Sequence, residues 1–217
     1  MSRSIKNYDT ILSKFVFFNI LIILIVMSLV NIKNYVTAWD ILQGILFNGI
    51  GLTMVSILAI LLNGGLKTDY KNLLIFWKSK HSLPSYFVFS KLSKKDDRID
   101  FDELSNTYAP LPEEPELQHR LWYKILKKYP DDEMILQSHR DYLMYRDLTA
   151  ILFLLIVLYI VIFIIMKLAG VNILSLPIIV YMVEYFLLVI STRNKAERFV
   201  LNVIACDLSQ KSISINE

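Results

Sequence analysis

One acidic residue lies within a long apolar stretch of this sequence. Glu184 is the single charged residue of Ile173–Ser191, where almost every other side chain is a hydrocarbon or an aromatic ring. An ionisable side chain in hydrocarbon is costly unless it is paired, protonated or in contact with water, so it marks a functional candidate. Amides also occur in other apolar stretches, where they can hydrogen-bond across a helix interface: Asn19, Gln43 and Asn48.

Two interpretations of Glu184 are open. In a ring of subunits, repeated copies of Glu184 would form a collar that favours cations, with Asn19, Gln43 and Asn48 as further polar candidates for the lining. Alternatively, Glu184 is a structural acid that is held by Asn19, Asn48 or a neighbouring tyrosine. The sequence identifies the candidate and leaves its role open between a pore lining and a structural contact.

A second candidate is a group of cations and one aromatic residue that precedes the most apolar stretch. Its members are Arg120, Trp122, Lys124, Lys127, Lys128, Arg140 and Arg146. Charged residues on helices form surface ion pairs by default. Basic helices close to a membrane also meet anionic lipid headgroups, and the arginines could dock a partner protein or an anionic ligand. A nucleotide or oligonucleotide is a further ligand class, indicated by charge and aromatic content alone.

Metal and nucleophilic chemistry have little support in the sequence. Glu116 and His119 have the Glu-x-x-His spacing that di-iron bundles use twice, but only one copy is present. Cys206 is the single cysteine, which excludes a disulfide within the chain and a metal site built from several cysteines. No local set of serine, histidine and aspartate, or of cysteine and histidine, is arranged for catalysis. We therefore expect no metal, no cofactor and no enzymatic activity.

The elements that position these residues follow from the apolar stretches, since 55% of the 217 residues are hydrophobic. Leu148–Leu168 has no charge before Lys167 and is long enough to cross roughly 30 Å of hydrocarbon as a helix. The same expectation applies to Phe15–Val30, Ile41–Leu62 and Ile173–Ser191. A basic segment before Phe15–Val30 is typical of a secretion signal, but no small-residue cleavage site follows, which favours a retained membrane helix.

Residues 66–147 differ from these stretches because they are rich in charge and proline. Apolar residues at helical spacing predict a set of helices there: Thr68–Lys80, Phe101–Thr107 with Asp100 as N-cap, Glu114–Tyr129, and Glu133–Arg146, which is capped by Asp131 and runs into the third span without a break. Tyr86–Phe89 is predicted as a short strand or an extended segment. The tail at 196–208 fits a helix or a strand, and helix is favoured.

Basic residues flank the four stretches asymmetrically. They cluster before the first, after the second, before the third and after the fourth, whereas the two opposite connections hold only Lys33 and Lys167. The expected fold is therefore an all-α integral membrane protein with four transmembrane helices and both termini in the cytoplasm. It divides into 1–65 with spans 1 and 2, 66–147 as a small, mostly helical cytoplasmic domain, 148–191 with spans 3 and 4, and 192–217 as a cytoplasmic tail.

This architecture comes with a group of short sequence features. They are Leu83-Pro84, Asp97-Arg98-Ile99-Asp100, Trp122-Tyr123, His139-Arg140-Asp141-Tyr142-Leu143 and Arg146-Asp147. In these features and in its four spans the chain resembles small bacterial membrane subunits of phage-defence systems, the Kiwa membrane subunits first and the Hailong pore-type effectors second. The resemblance implies a multi-pass protein of the bacterial inner membrane, a homo-oligomer with a tetramer favoured, and a cytosolic protein partner. It transfers no functional residue.

Two functional hypotheses follow. The first is a sensor or effector subunit that couples a membrane event to a cytosolic partner in defence against phage. Its basis is the cytoplasmic domain, which we expect to be joined to spans 2 and 3 by continuous helices that can transmit a tilt. The second is an oligomeric ligand-gated pore, or a membrane-disrupting effector, lined by polar residues that include Glu184.

Overall fold

The computed structural model describes residues 8–31, 49–50, 53–54, 57–168 and 175–215. The helices in these ranges are α1 (Asp9–Asn31), α2 (Thr68–Phe76), α3 (Phe101–Thr107), α4 (Pro115–Leu126), α5 (Glu133–Leu168) and α6 (Leu176–Ile215). Residues 57–65 are also helical. Short helical turns of 3₁₀ and π type cover Pro84–Phe87, Val88–Leu92 and Ser93–Lys95. No strand occurs in the described ranges, so the predicted all-helical class is confirmed for them.

Two of the described helices, α5 and α6, are long and apolar enough to cross a membrane. The segments that qualify are Glu133–Ile165 and Leu176–Lys211. A helix needs about 20 predominantly apolar residues to cross the hydrocarbon core, and both segments exceed that length. The chain is therefore compatible with a membrane protein. The predicted second span, Ile41–Leu62, lies largely outside the described residues.

The chain divides into two compact units. The apolar unit contains the described residues of Asn7–Lys71 and Asp147–Val189, and the polar unit contains Asn72–Arg146 together with the chain from Ile190 onward. Helices α5 and α6 each contribute residues to both units. The prediction that the helix from Glu133 continues into the third apolar stretch is confirmed, because α5 is unbroken from Glu133 to Leu168.

The polar unit has a hydrophobic core of its own. The C-terminal half of α6 supplies much of it, and α3 with the residues before it, α4, α5 and the short turns supply the rest: Val88, Phe89, Ile99, Leu104, Trp122, Ile125, Ile135, Tyr142, Ala196, Phe199, Val200, Val203, Ile204, Cys206 and Leu208 are all buried. One polar group of this core, the Trp122 indole N–H, donates to the Val200 carbonyl at 3.1 Å. The predicted tail segment at 196–208 is thus helix, and it forms the centre of a folded unit.

Two predicted N-caps have different outcomes. Asp100 caps α3, because its carboxylate accepts hydrogen bonds from the backbone N–H groups of Asp102 and Glu103. The prediction that Asp131 caps α5 is wrong. Asp132 occupies that position, and its Oδ1 accepts the backbone N–H of Ile135 at 2.9 Å. The spacing explains the shift, since an N-cap side chain reaches the third helical residue.

Two further boundaries differ from the predictions. Helix α2 ends at Phe76 and not at Lys80, because Trp77 adopts φ 53°, a left-handed conformation that commonly ends helices. The predicted strand or extended segment at Tyr86–Phe89 is a run of helical turns. The side chain of Gln118 stabilises that run, since its Oε1 accepts the backbone N–H groups of Phe89 and Ser90, each at 3.1 Å.

Candidate functional site

Glu184 lies against Asn19 within the apolar unit. The Asn19 amide nitrogen donates to Glu184 Oε1 at 3.2 Å and to the Phe15 carbonyl in the preceding turn of α1 at 3.1 Å. Asn19 is only 2% exposed. Its amide oxygen is buried and has no hydrogen-bond partner among the described atoms. The structure therefore brings together two of the sequence-predicted polar residues and leaves one acceptor unused.

Two buried tyrosines lie on α6 close to Glu184 in sequence. Tyr181 meets the ring of Tyr159 edge-on at 6.4 Å, and Tyr185 lies 6.0 Å from the ring of Phe153. Both contacts join α5 to α6. The other two predicted polar candidates, Gln43 and Asn48, lie outside the described residues. The pore interpretation and the structural interpretation of Glu184 both stay predictions.

The apolar unit also contains a buried ion pair. Lys71 Nζ lies 2.9 Å from Asp147 Oδ1, and both side chains are 8% exposed. The other oxygen of the Asp147 carboxylate accepts the hydroxyl of Tyr8 at 2.9 Å. A buried charge is stable only when it is paired and further hydrogen-bonded, which is the arrangement around Asp147. Sequence patterns did not indicate this cluster, since its members are separated by up to 139 positions.

The predicted group of cations does not form one continuous surface. Arg120, Lys124 and Lys127 are exposed on α4, where the ammonium of Lys127 lies 4.7 Å from the centre of the Tyr123 ring. Trp122 is buried in the core instead. The remaining three members make contacts elsewhere: Arg146 is buried, Arg140 donates to Gln137, and Lys128 pairs with Asp207.

Asp207 is the most heavily bonded acid in the described part of the polar unit. Its carboxylate accepts the hydroxyls of Tyr108 at 2.5 Å and Tyr129 at 2.9 Å, and lies 3.2 Å from the ammonium groups of both Lys128 and Lys211. Burial alone would raise the pKa of Asp207, but the donors from Tyr108, Tyr129 and Lys128 outweigh burial and lower that pKa. Lys128 therefore has a structural partner. Asp207 was not among the sequence-predicted residues.

Glu116 and His119, the pair with metal-ligand spacing, have separate partners. Glu116 lies 2.5 Å from His81, and the hydrogen bond with His81 lowers the pKa of this exposed carboxylate. His119 Nδ1 lies 2.8 Å from the hydroxyl of Ser85, and burial lowers the pKa of His119. In the described ranges no group of three histidine, cysteine or acidic residues could hold a metal ion.

Ser85 and His119 are the nearest approach to a nucleophilic pair. The sequence did not indicate it, because the two residues are 34 positions apart. Ser85 is 1% exposed, so a substrate cannot reach its hydroxyl in this conformation. The ring of His119 stacks on Tyr86 with the ring centres 4.5 Å apart. These contacts anchor α4 to the turn that begins at Pro84, which is a structural role.

Comparison with known proteins adds no relative to this description. No family model matches the chain, and no curated protein or solved structure is significantly similar to it. The functional argument therefore depends on the contacts and surfaces of the chain itself.

Proposed function

We propose that the chain is a multi-pass inner-membrane protein with four spans and both termini in the cytoplasm. It acts as a sensor or effector subunit that couples a membrane event to a cytosolic partner in defence against phage. Support for the membrane part comes from the two apolar helices long enough to span a bilayer, from the apolar residues of α1, and from the basic residues that flank the apolar stretches.

One observation carries the coupling part of the proposal. Helices α5 and α6 are continuous over 36 and 40 residues, and each contributes to the apolar unit and to the polar unit. The apolar unit exposes large hydrophobic side chains, for example Ile165 at 58% and Leu187 at 61%, which lipid would cover. The polar unit buries its own core and can present a surface to a soluble partner. Rigid helices shared by two such units are a known means of transmitting a change.

The exposed cations of α4 are the best candidate for the partner surface. Arg120, Lys124 and Lys127 project from a helix whose opposite face is fixed in the core through Trp122 and Ile125. A rigid basic face steers an acidic partner towards the membrane protein and fixes its orientation. The partner would therefore carry an acidic surface, and a homo-oligomer, with a tetramer favoured, would present several such faces.

The test is phage plating on bacteria that express the chain together with its neighbouring genes. The wild-type chain should lower the plating efficiency, and simultaneous reversal of the three α4 cations to glutamate should abolish protection while the protein stays in the membrane fraction. Asp102→Lys, a reversal at another exposed position, serves as control and should protect like the wild type. Full protection by the triple variant would exclude the α4 surface, and no protection by the wild type would exclude the defence role.

A second candidate function is an oligomeric pore, favoured by one specific contact. The carboxylate of Glu184 and the unpaired amide oxygen of Asn19 lie together in the apolar unit, and both are oxygen ligands of the kind that cations use. In planar bilayers Glu184→Gln should lower the preference of the current for cations, whereas Asp102→Asn should leave it unchanged. A monomeric mass in detergent, or the same selectivity in Glu184→Gln, would exclude this candidate.

A further inference from the structure

The polar unit contains a cleft that none of the predictions identified. Its volume is about 290 Å³, and it opens between the segment after α2, the turns at Pro84–Leu92 and the α6 residues just beyond Val189. Apolar side chains form much of its lining: Phe76, Leu83, Pro84, Phe87 and Leu92. Ligand pockets are typically concave and mostly apolar, with a few polar groups that fix the orientation of the ligand.

Three cations line this cleft: Lys78, Lys91 and Arg193. None of them forms an ion pair with any carboxylate in the described part of the chain. The single acid of the lining, Glu197, lies one turn beyond Arg193 on α6 and is exposed. The cleft therefore carries an excess of positive charge that no ion pair to a described carboxylate neutralises, which distinguishes it from the paired cations of the Asp207 cluster.

Arg193 is held in a fixed position. Its Nε donates to the Ile75 carbonyl at 2.8 Å, and its guanidinium lies 4.3 Å from the centre of the Trp77 ring. These contacts do not use the two terminal nitrogens, which are the atoms that bind carboxylate and phosphate in a bidentate manner. Trp77 reaches this place through its left-handed backbone, a strained conformation for a bulky residue.

The side chains of Lys78 and Lys91 both contact the ring of Phe87. Their ammonium groups lie 5.5 Å and 5.4 Å from the centre of Phe87. Each is attracted to the face of the ring, but two ammonium groups near one ring also repel each other. An anion bound in the cleft would have these two ammonium groups and the Arg193 guanidinium as candidate partners, since all three residues line it.

We propose that this cleft binds an organic phosphate. The phosphate is held by Arg193, Lys78 and Lys91, and the organic part lies against Phe87 and the neighbouring apolar side chains. The volume suits a phosphate with one small organic group, and not a long oligonucleotide. The same chemistry is present in the headgroup of an anionic phospholipid and in a soluble nucleoside monophosphate. The site does not depend on the proposed cytosolic partner, because every residue in it belongs to this chain.

The experiment uses the full chain and has two arms that separate the sources. In the soluble arm, the chain in nanodiscs of pure phosphatidylcholine is titrated with AMP by calorimetry, and inorganic phosphate is added as a competitor. In the lipid arm, the detergent-purified chain is titrated with phosphatidylglycerol or phosphatidylcholine and the retained lipid is counted by native mass spectrometry. Saturable binding in the first arm identifies a soluble ligand, and preferential retention of phosphatidylglycerol identifies a lipid headgroup.

Variants connect the binding to the cleft. Arg193→Gln should weaken binding by about tenfold or more, because it removes a charge-assisted hydrogen bond from a fixed donor. Lys91→Gln should weaken binding by a smaller factor. If Arg193→Gln disturbs the contact with Ile75, Lys91→Gln still tests whether the cleft is the binding site. Glu197→Gln should strengthen binding, since it removes the single acid of the lining.

Lys95→Gln is the matched control, because Lys95 is an exposed cation of the Ser93–Lys95 turn that is not part of the cleft lining. It should leave binding in either arm unchanged. The proposal is overturned if neither arm shows binding. It is also overturned if Arg193→Gln and Lys91→Gln bind like the wild type, or if Lys95→Gln weakens binding as much as they do.

Discussion

The two units differ in the direction that their large aliphatic side chains face. In the polar unit the large aliphatic side chains of α6 face inward, and Val203 and Ile204 are fully buried. In the apolar unit the same helix turns comparable side chains outward, with Ile179 at 60% and Leu187 at 61% exposure. One helix thus carries two patterns, of which the first fits a soluble core and the second requires lipid or another subunit to cover it.

The two units also differ in how many partners surround their buried polar groups. The buried acid of the polar unit, Asp207, has four donors around it. In the apolar unit, the buried amide oxygens of Asn19 and Asn63 have no partner among the described atoms, and in the polar unit the Ser93 hydroxyl has none. Where few polar groups are available, each contact is difficult to replace. The comparison therefore predicts that losing one polar partner has a larger effect in the apolar unit than in the polar unit.

The largest expected effect comes from the buried ion pair of the apolar unit. Lys71→Met should lower the free energy of unfolding by about 3–5 kcal/mol, because it removes the cation that lies 2.9 Å from the buried Asp147 carboxylate. The matched variant in the polar unit is Lys195→Met. Lys195 and its partner Asp141 are 31% and 25% exposed, so solvent screens that pair and the loss should stay below about 1 kcal/mol. Thermal unfolding in detergent measures both, and equal shifts would contradict the comparison.

A matched pair of isoleucines on α6 tests the hydrophobic part of the comparison. Ile204→Ala should cost about 3 kcal/mol, since it opens a cavity in a fully buried part of the core. Ile179→Ala removes the same atoms from a side chain that is 60% exposed. In detergent it should cost less than about 0.5 kcal/mol, as is typical of surface substitutions. If Ile179→Ala destabilises the protein as much as Ile204→Ala does, the outward face of the apolar unit is packed against protein and not against lipid.

Local patterns in the sequence were sufficient for much of this fold. The cap at Asp100, the bounds of Phe101–Thr107 and the unbroken helix from Glu133 depend on neighbouring residues and on helical spacing, and all three are confirmed. One predicted segment was wrong where a distant side chain determines the backbone conformation. The turns around Phe89 are an example, because their backbone N–H groups are satisfied by Gln118 on another helix.

The candidate sites were less predictable for the same reason. Glu184 is conspicuous because a single acid stands in an apolar stretch, so composition alone identifies it. Asp207 and Arg193 lie in ordinary charged sequence, and their importance arises only from partners far along the chain, such as Tyr108 and Ile75. No periodicity in one sequence encodes contacts of that length. Trp122 shows the converse, since its cationic neighbours suggested a surface role, whereas its ring lies in the core.

An intermediate effect is expected at Asp207, where several donors share the stabilisation. Asp207→Asn should cost about 2 kcal/mol at neutral pH, because the amide keeps one acceptor oxygen for the tyrosines but loses the charge that holds Lys128 and Lys211. Calorimetric unfolding of the wild type and the variant in the same detergent measures this difference, and a difference near zero would show that the cluster is not stabilising.

The pH dependence of that difference has a definite sign. The pKa of Asp207 is raised by burial but lowered overall by Tyr108, Tyr129 and Lys128, so it lies below its ordinary value of 3.8. A carboxylate with a depressed pKa stabilises the folded state above the unfolded pKa and loses that contribution as the pH falls through the folded pKa. The stability gap between the wild type and Asp207→Asn should therefore be constant from neutral pH to about pH 5 and should narrow below about pH 4. A stability gap that widens in acid would mean that folding raises the pKa of Asp207 instead of lowering it. The four donors would then no longer explain how the C-terminal part of α6 is held.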